Sequence, residues 1–234
     1  MITKQDYLKM QNFPDEMDSI PTYIMQFTES VNSSYEDVII SSVAGIAHGR
    51  HEKHTKWSDV LLALKRFSSK QDLLENPSLI FDEQLCKEDP GLKNGFYFYR
   101  IDNKLYLAQG MHRFIIMKFA GIQTVKNVLV DERVFVIPPK VLKKVQYWGY
   151  AFKKDWFASE HQSKYQLCKA AYSDGVIQPG AQIDNFLTQL DFDNFLSGID
   201  LEILRTAEDF KKYCENRFNE KSGKRRLKRK YVPI

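Results

Sequence analysis

The sequence predicts an α+β fold in which a small mixed sheet with packed helices is followed by an all-helical C-terminal extension. Three observations carry that reading. Lys104 to Asp131, KLYLAQGMHRFIIMKFAGIQTVKNVLVD, runs strand, glycine turn, helix, glycine stop and second strand without a gap. Ahead of it, Phe96 to Ile101 alternates as a strand and reaches Lys104 across Asp102-Asn103, two residues that tolerate the positive φ of a hairpin turn. From Lys140 onward, lysines and aromatics at helical spacing replace the strand pattern, and an acidic helical stretch follows from Gly180 to Phe218.

Length and composition bound the rest. A chain of 234 residues has room for one generous domain, or for a core domain and a smaller one. With 43% hydrophobic and 27% charged residues it has the make-up of a soluble globular protein. No apolar run approaches the roughly 20 residues a membrane helix needs, and MITKQDYLKM has no signal-peptide core, so the expected address is cytoplasmic, away from membranes. Cys86, Cys168 and Cys214 are odd in number, distant and in no C-x-x-C pair, which suggests reduced, structural thiols. The net charge of +4 is local. Lys221 to Ile234 holds seven basic residues and no acid, leaving 27 basic against 30 acidic elsewhere.

In chain order, residues 1–36 read as an N-terminal helical cover, two short helices around Pro14 and Pro21. Residues 37–137 form the central domain. It opens on a β-branched strand, Asp37 to Ile46, and continues through the polar loop AHGRHEKHTK. Ser58 is placed to cap a helix from Asp59 to Phe67, where Val60, Leu61, Leu64 and Phe67 share a face. Gln71 to Asn94 reads as helix then loop, broken by Pro77, Pro90 and Gly91. After the hairpin, Gly110 punctuates and Met111 to Ala120 makes a helix apolar nearly all round, stopped by Gly121. Strands from Thr124 to Val130 and from Val134 to Ile137 complete the sheet before Pro138-Pro139. Residues 138–220 are the helical extension. Its lysines (Lys140, Lys143, Lys144, Lys153, Lys154, Lys164, Lys169) lie among Tyr147, Trp148, Tyr150, Trp156 and Phe157. Such a pattern serves nucleic acid through phosphates and stacked bases, or is an amphipathic surface with solvated lysines. Asp184-Asn185-Phe186-Leu187 is echoed in Asp193-Asn194-Phe195-Leu196, too few copies for a repeat array. Residues 221–234 are a basic tail. Lys224, Arg225, Arg226, Lys228, Arg229 and Lys230 suit it to a DNA or RNA backbone.

The chemistry concentrates at Gln109-Gly110-Met111-His112-Arg113. A helix start leaves N–H groups unpaired and carries partial positive charge, so cationic His112 and Arg113 sit at its unfavourable end. A phosphate resolves the conflict: Gly110 lets the backbone approach and Arg113 clamps the oxygens. Alternatively, Arg113 reaches an internal carboxylate and His112 caps a loop carbonyl.

This box, with its apolar helix, Ala120-Gly121 and valine-rich strand, resembles the G-x-H/R-R box of the ParB/sulfiredoxin superfamily, over about Asp37 to Phe135. The resemblance implies a ParB-like domain that binds ATP or CTP, with Mg²⁺ bridging the phosphates, and places Gly110, Met111, His112 and Arg113 at those phosphates. By position it carries over His48, Gly49, Arg50 and Lys56 as further nucleotide contacts. By analogy with the family's kinases it offers Glu36 or Asp37 as base or metal ligand. Met111 stands where sulfiredoxins carry their reactive cysteine, which argues against sulfinic acid reduction. The superfamily's reactions vary, so the fold leaves several activities open: NTP hydrolysis, phosphotransfer, metal-dependent cleavage of nucleic acid, or no catalysis, as a DNA- or RNA-binding adaptor. A homodimer is an assembly open to such a chain. The extension shows no helix-turn-helix pattern. His48, His51 and His54 recur every third residue, but Gly49 interrupts them and no further ligand joins, so no protein metal site is assigned.

Overall fold

A computed structural model describes residues 3–47, 51, 53–65, 75–76, 95–155, 158, 164–173, 176–186 and 188–217. The chain divides into two units, Met1–Val136 and Ile137–Ile234.

In the first unit, Thr3 and Asp6 form a reciprocal capping box that starts α1 (Lys4–Met10). There follow β1 (Asp18–Ser19), α2 (Thr22–Met25), β2 (Thr28–Ile39), a 3₁₀ turn at Ile40–Ser42, β3 (Val43–Ile46) and α3 (Trp57–Ala63). Beyond these come β4 (Tyr97–Ile101), β5 (Lys104–Gln109), α4 (Met111–Phe119) and β6 (Thr124–Phe135). The six strands form one sheet in the order β1-β3-β5-β4-β6-β2. It is mixed: β1/β3, β3/β5 and β4/β6 are parallel, β4/β5 and β2/β6 antiparallel. The α+β class expected from sequence is therefore observed.

Local chemistry explains the centre of the sheet. Asp102 and Asn103 adopt φ of 50° and 62°, the two positive values a two-residue hairpin turn demands. β5 then delivers the chain to Gly110, and α4 ends at Ala120 with Gly121 in the left-handed region.

Elsewhere the structure corrects the expected boundaries. The stretch Asp37 to Ile46 is two strands. Ile40–Ser42 turns the chain from the sheet edge toward its interior, held by Ile40 N to Gln123 O (2.8 Å) and Ser42 Oγ to Ile39 O (2.7 Å). No glycine or proline marks that turn. The N-terminal region does contain two short helices, but Thr28 to Glu36 belongs to edge strand β2, so the cover is not wholly helical. β6 is one strand of 12 residues where two were expected, because β2 pairs with it along its length. The start of α3 is capped from afar. Ser58 donates N–H and Oγ–H to the Asp15 carboxylate (2.8 and 2.5 Å) instead of capping the helix itself.

α3, α4 and α1 cover one face of the sheet. Phe98 and Leu107 from the strands meet Phe114 and Ile115 from α4, Trp57 and Leu61 from α3, and Tyr7 from α1. Phe98 and Phe114 cross edge to face at 5.9 Å.

The second unit departs from the all-helical expectation. After α5 (Pro139–Tyr147) come β7 (Tyr150–Lys154), β8 (Tyr165–Ser173) and β9 (Val176–Asn185), an antiparallel sheet in sequence order. Two helices complete it, α6 (Gln189–Ser197) and α7 (residues 207–217). Gly149, at φ 82°, ends α5 where the lysine-aromatic pattern reads straight through. β7 and the adjoining part of β8 were illegible because consecutive residues there are buried on both sides. Ala151 and Cys168 are inaccessible, as are their neighbours Phe152 and Leu167, so no clean alternation appears. An aromatic core forms around Phe192 and Phe195, with Tyr165 stacked on Phe192 at 4.5 Å. The two echoed phenylalanines, Phe186 and Phe195, meet at 4.9 Å. Cys168 and Cys214 are both buried.

Candidate functional site

The Gly110 turn is the junction of β5 and α4. Gly110 is the N-cap at φ 92° and has no side chain to offer the first-turn N–H groups, so the helix starts without a side-chain cap. Two constraints make the position glycine. Its φ is left-handed, and a Cβ there would stand 2.0 Å from the Gly95 carbonyl oxygen and 2.9 Å from the Phe96 ring. Gly95 in turn lies under the Arg113 guanidinium, since a Cβ on it would fall 1.5 Å from Nη2. The guanidinium carbon is 5.2 Å from the Phe96 ring centre. Arg113 is thus braced flat against Gly95-Phe96, with its charge beside the start of α4. Sequence reasoning missed Gly95, which is 15 residues from Gly110 and joins it only through the β4/β5 pairing.

Lys56 is exposed at the N-cap of α3. His48, Gly49 and Arg50 lie outside the described residues, as does the tail from Lys224 to Lys230. The Gln71 to Asn94 segment lies outside them too, apart from Glu75 and Asn76. Glu36 accepts a 2.7 Å ion pair from Arg100, and Asp37 accepts the Asn127 N–H at 2.9 Å, where Asn127 has φ 51°. Both acids therefore have structural partners on the β2/β6 side of the sheet. His51 and His54 are 5.5 Å apart, but among the described residues no group of three or more His, Cys, Asp or Glu is placed to hold a metal. Met111 and Phe114, on the same helix turn, face the core.

Two polar features were not anticipated. On the sheet face away from α4, Asp131 is 2% exposed and accepts from Ser30 Oγ, Ser33 Oγ (3.1 Å), Tyr97 Oη (2.8 Å) and Arg133 Nη1 (2.7 Å). Arg133 also bonds Thr28 Oγ1 at 2.7 Å and lies over the Tyr99 ring. Burial raises the Asp131 carboxyl, but the four donors outweigh it and hold the group below the usual carboxylate range. The same burial and the bond to Asp131 push Tyr97 up to about 12. With its acceptor sites filled by protein donors, Asp131 is a sheet-stabilising anion rather than a base. Its sequence signal was the period-2 pairing of Tyr97/Tyr99 with Asp131/Arg133. The second feature is Lys118 on α4, found 6% exposed. Its Nζ lies 4.6 Å from both the Phe13 and Trp57 ring centres and 3.4 Å from Ile40 O. Burial lowers its pKa to about 8.

No protein-family model matches the chain, and no curated protein or solved structure does. The fold class, an α+β unit on a mixed sheet, is what the structure defines. Among the described residues no helix is long and apolar enough to cross a membrane.

Proposed function

We propose that this chain is a ParB-like nucleoside-triphosphate-binding protein that acts on or with nucleic acid in the cytoplasm, with the phosphates of ATP or CTP at the Gly110-Met111-His112-Arg113 helix start. The observation that supports it most is the Gly110 turn itself. A left-handed glycine N-cap brings no acceptor of its own, and an arginine braced on Gly95 and Phe96 sets a cation where the helix end already favours an anion. In this reading the backbone of α4 orients phosphate oxygens and Arg113 neutralises them. His112 donates from the same turn. Mg²⁺, when bound, supplies charge neutralisation between phosphates. The basic tail takes the phosphate backbone of DNA or RNA.

Thermal-shift measurements with ATP, CTP and GTP test the reading. Stabilisation by one nucleotide at millimolar concentration in the native chain, lost in Arg113→Ala, is the expected result. Indifference to all three removes the nucleotide from the proposal and leaves a structural turn.

A further inference from the structure

We propose that the outer face of α5 is a second nucleic-acid surface, one that grips phosphates with Lys140, Lys143 and Lys144 and stacks an unpaired base on Tyr147. It shares the nucleic-acid partner of the reading above but does not depend on its nucleotide site.

The argument starts from the helix PKVLKKVQY. Val141, Leu142 and Val145 are buried and use up its apolar stripe, so α5 has no hydrophobic face left for a lipid surface. The opposite stripe follows i, i+3, i+4, i+7 spacing: Lys140, Lys143, Lys144, Tyr147. α5 contains no acidic residue, and among the described residues no carboxylate pairs with any of the three lysines. Lys140 stands in the first turn, at the helix's positive end, where a cation costs stability without an anion beside it. Pro138 to Ser173 as a whole holds seven lysines against two acids, Asp155 and Glu160. That imbalance is complementary to a polyanion.

Tyr147 supplies the second half of the argument. Its neighbour Trp148 turns inward, 5% exposed and stacked on Phe210 at 5.1 Å. Tyr147 itself stands 81% exposed. Lys144 Nζ lies 5.5 Å from the Tyr147 ring centre and 5.6 Å from that of Trp148, so a cation and an exposed aromatic ring are presented together. Lysines alone recognise any phosphate chain. A protruding ring among them adds a surface for bases that are not already paired, which selects single strands.

The test uses the full chain and a labelled twenty-nucleotide oligothymidylate, followed by fluorescence anisotropy. Tyr147→Ala is expected to weaken single-strand binding about tenfold, with binding of a duplex of equal length unchanged, and Tyr147→Trp to restore it. Replacing Lys140, Lys143 and Lys144 together by glutamine is expected to lower the slope of log affinity against log salt by about 2, three phosphates' worth on a single strand. The substituted side chains lie on the surface, so an unchanged melting midpoint confirms folding. Photo-cross-linking with bromodeoxyuridine in the oligonucleotide then maps the contact, and an adduct at Tyr147 is expected. Unchanged affinity in Tyr147→Ala, adducts confined to Lys221 to Ile234, or binding to phosphatidylserine vesicles without binding to the oligonucleotide each overturns the proposal. Loss of nucleotide stabilisation in Arg113→Ala has no bearing on it, so the two readings fail separately.

Discussion

Replacing Lys118 by methionine should stabilise the first unit near neutral pH and erase a rise in stability between about pH 8 and 10.5. The ammonium is buried between Phe13 and Trp57, with one long hydrogen bond to Ile40 O and no carboxylate partner among its described contacts. Burial depresses its pKa from 10.5 to about 8. At 1.36 kcal/mol per unit that is about 3 kcal/mol of differential cost for the charged form. The sign follows from proton counting. Between pH 8 and 10.5 the unfolded chain still holds the proton while the folded chain has released it, so stability climbs with pH across that window. Below pH 8 the folded chain carries the full penalty, offset in part by the two ring faces at about 0.5 to 2 kcal/mol each. Methionine keeps the unbranched stem and discards the charge, so a net gain of about 1 kcal/mol is expected at pH 7. Urea unfolding followed by tryptophan fluorescence, run on both proteins from pH 7 to 10.5, gives the difference curve. Tyr97 and Tyr106, both pushed up to about 12, titrate above the window and are common to both proteins. A difference that stays flat with pH, or a Lys118→Met protein less stable at every pH, refutes the reasoning.

Two further outcomes follow from the sheet and the turn. Asp131→Asn should cost about 3 kcal/mol, because Arg133 loses its buried counter-charge, and should flatten the acid limb of the stability curve. The native carboxyl has a depressed pKa, so its contribution is present above about pH 4 and fades as pH falls through the folded value. Acid-unfolding midpoints that coincide in the two proteins contradict this. Gly110→Ala should cost at least about 3 kcal/mol, since left-handed φ and a contact 2.0 Å from the Gly95 carbonyl oxygen both oppose a Cβ. A denaturation midpoint within error of the native chain's would show that the turn can relax.

What the sequence determined by itself is what short-range geometry dictates. Asp102-Asn103 had to be a hairpin turn because few residues accept two positive φ values. Gly110 and Gly121 had to bracket a helix because one opens and the other closes it in the left-handed region. The burial of α4 was equally visible, since a helix apolar on all sides has nowhere to go but the core. The tertiary structure alone decided everything that depends on a partner distant in sequence. Asp15 caps α3 across 43 residues, Thr28 and Ser30 reach Asp131 and Arg133 across about 100, and Gly95 meets Arg113 only because β4 and β5 pair. The split of Asp37 to Ile46 into two strands was hidden because β-branched residues suit both, and the direction change comes from a backbone bond to Gln123. In the second unit, β7 and the adjoining part of β8 are buried on both faces and carry no alternation, and lysine-aromatic spacing imitates a helix. Only the packing of Phe192, Phe195 and Phe210 around Phe152 and Tyr150 shows which aromatics are core and leaves Tyr147 outside.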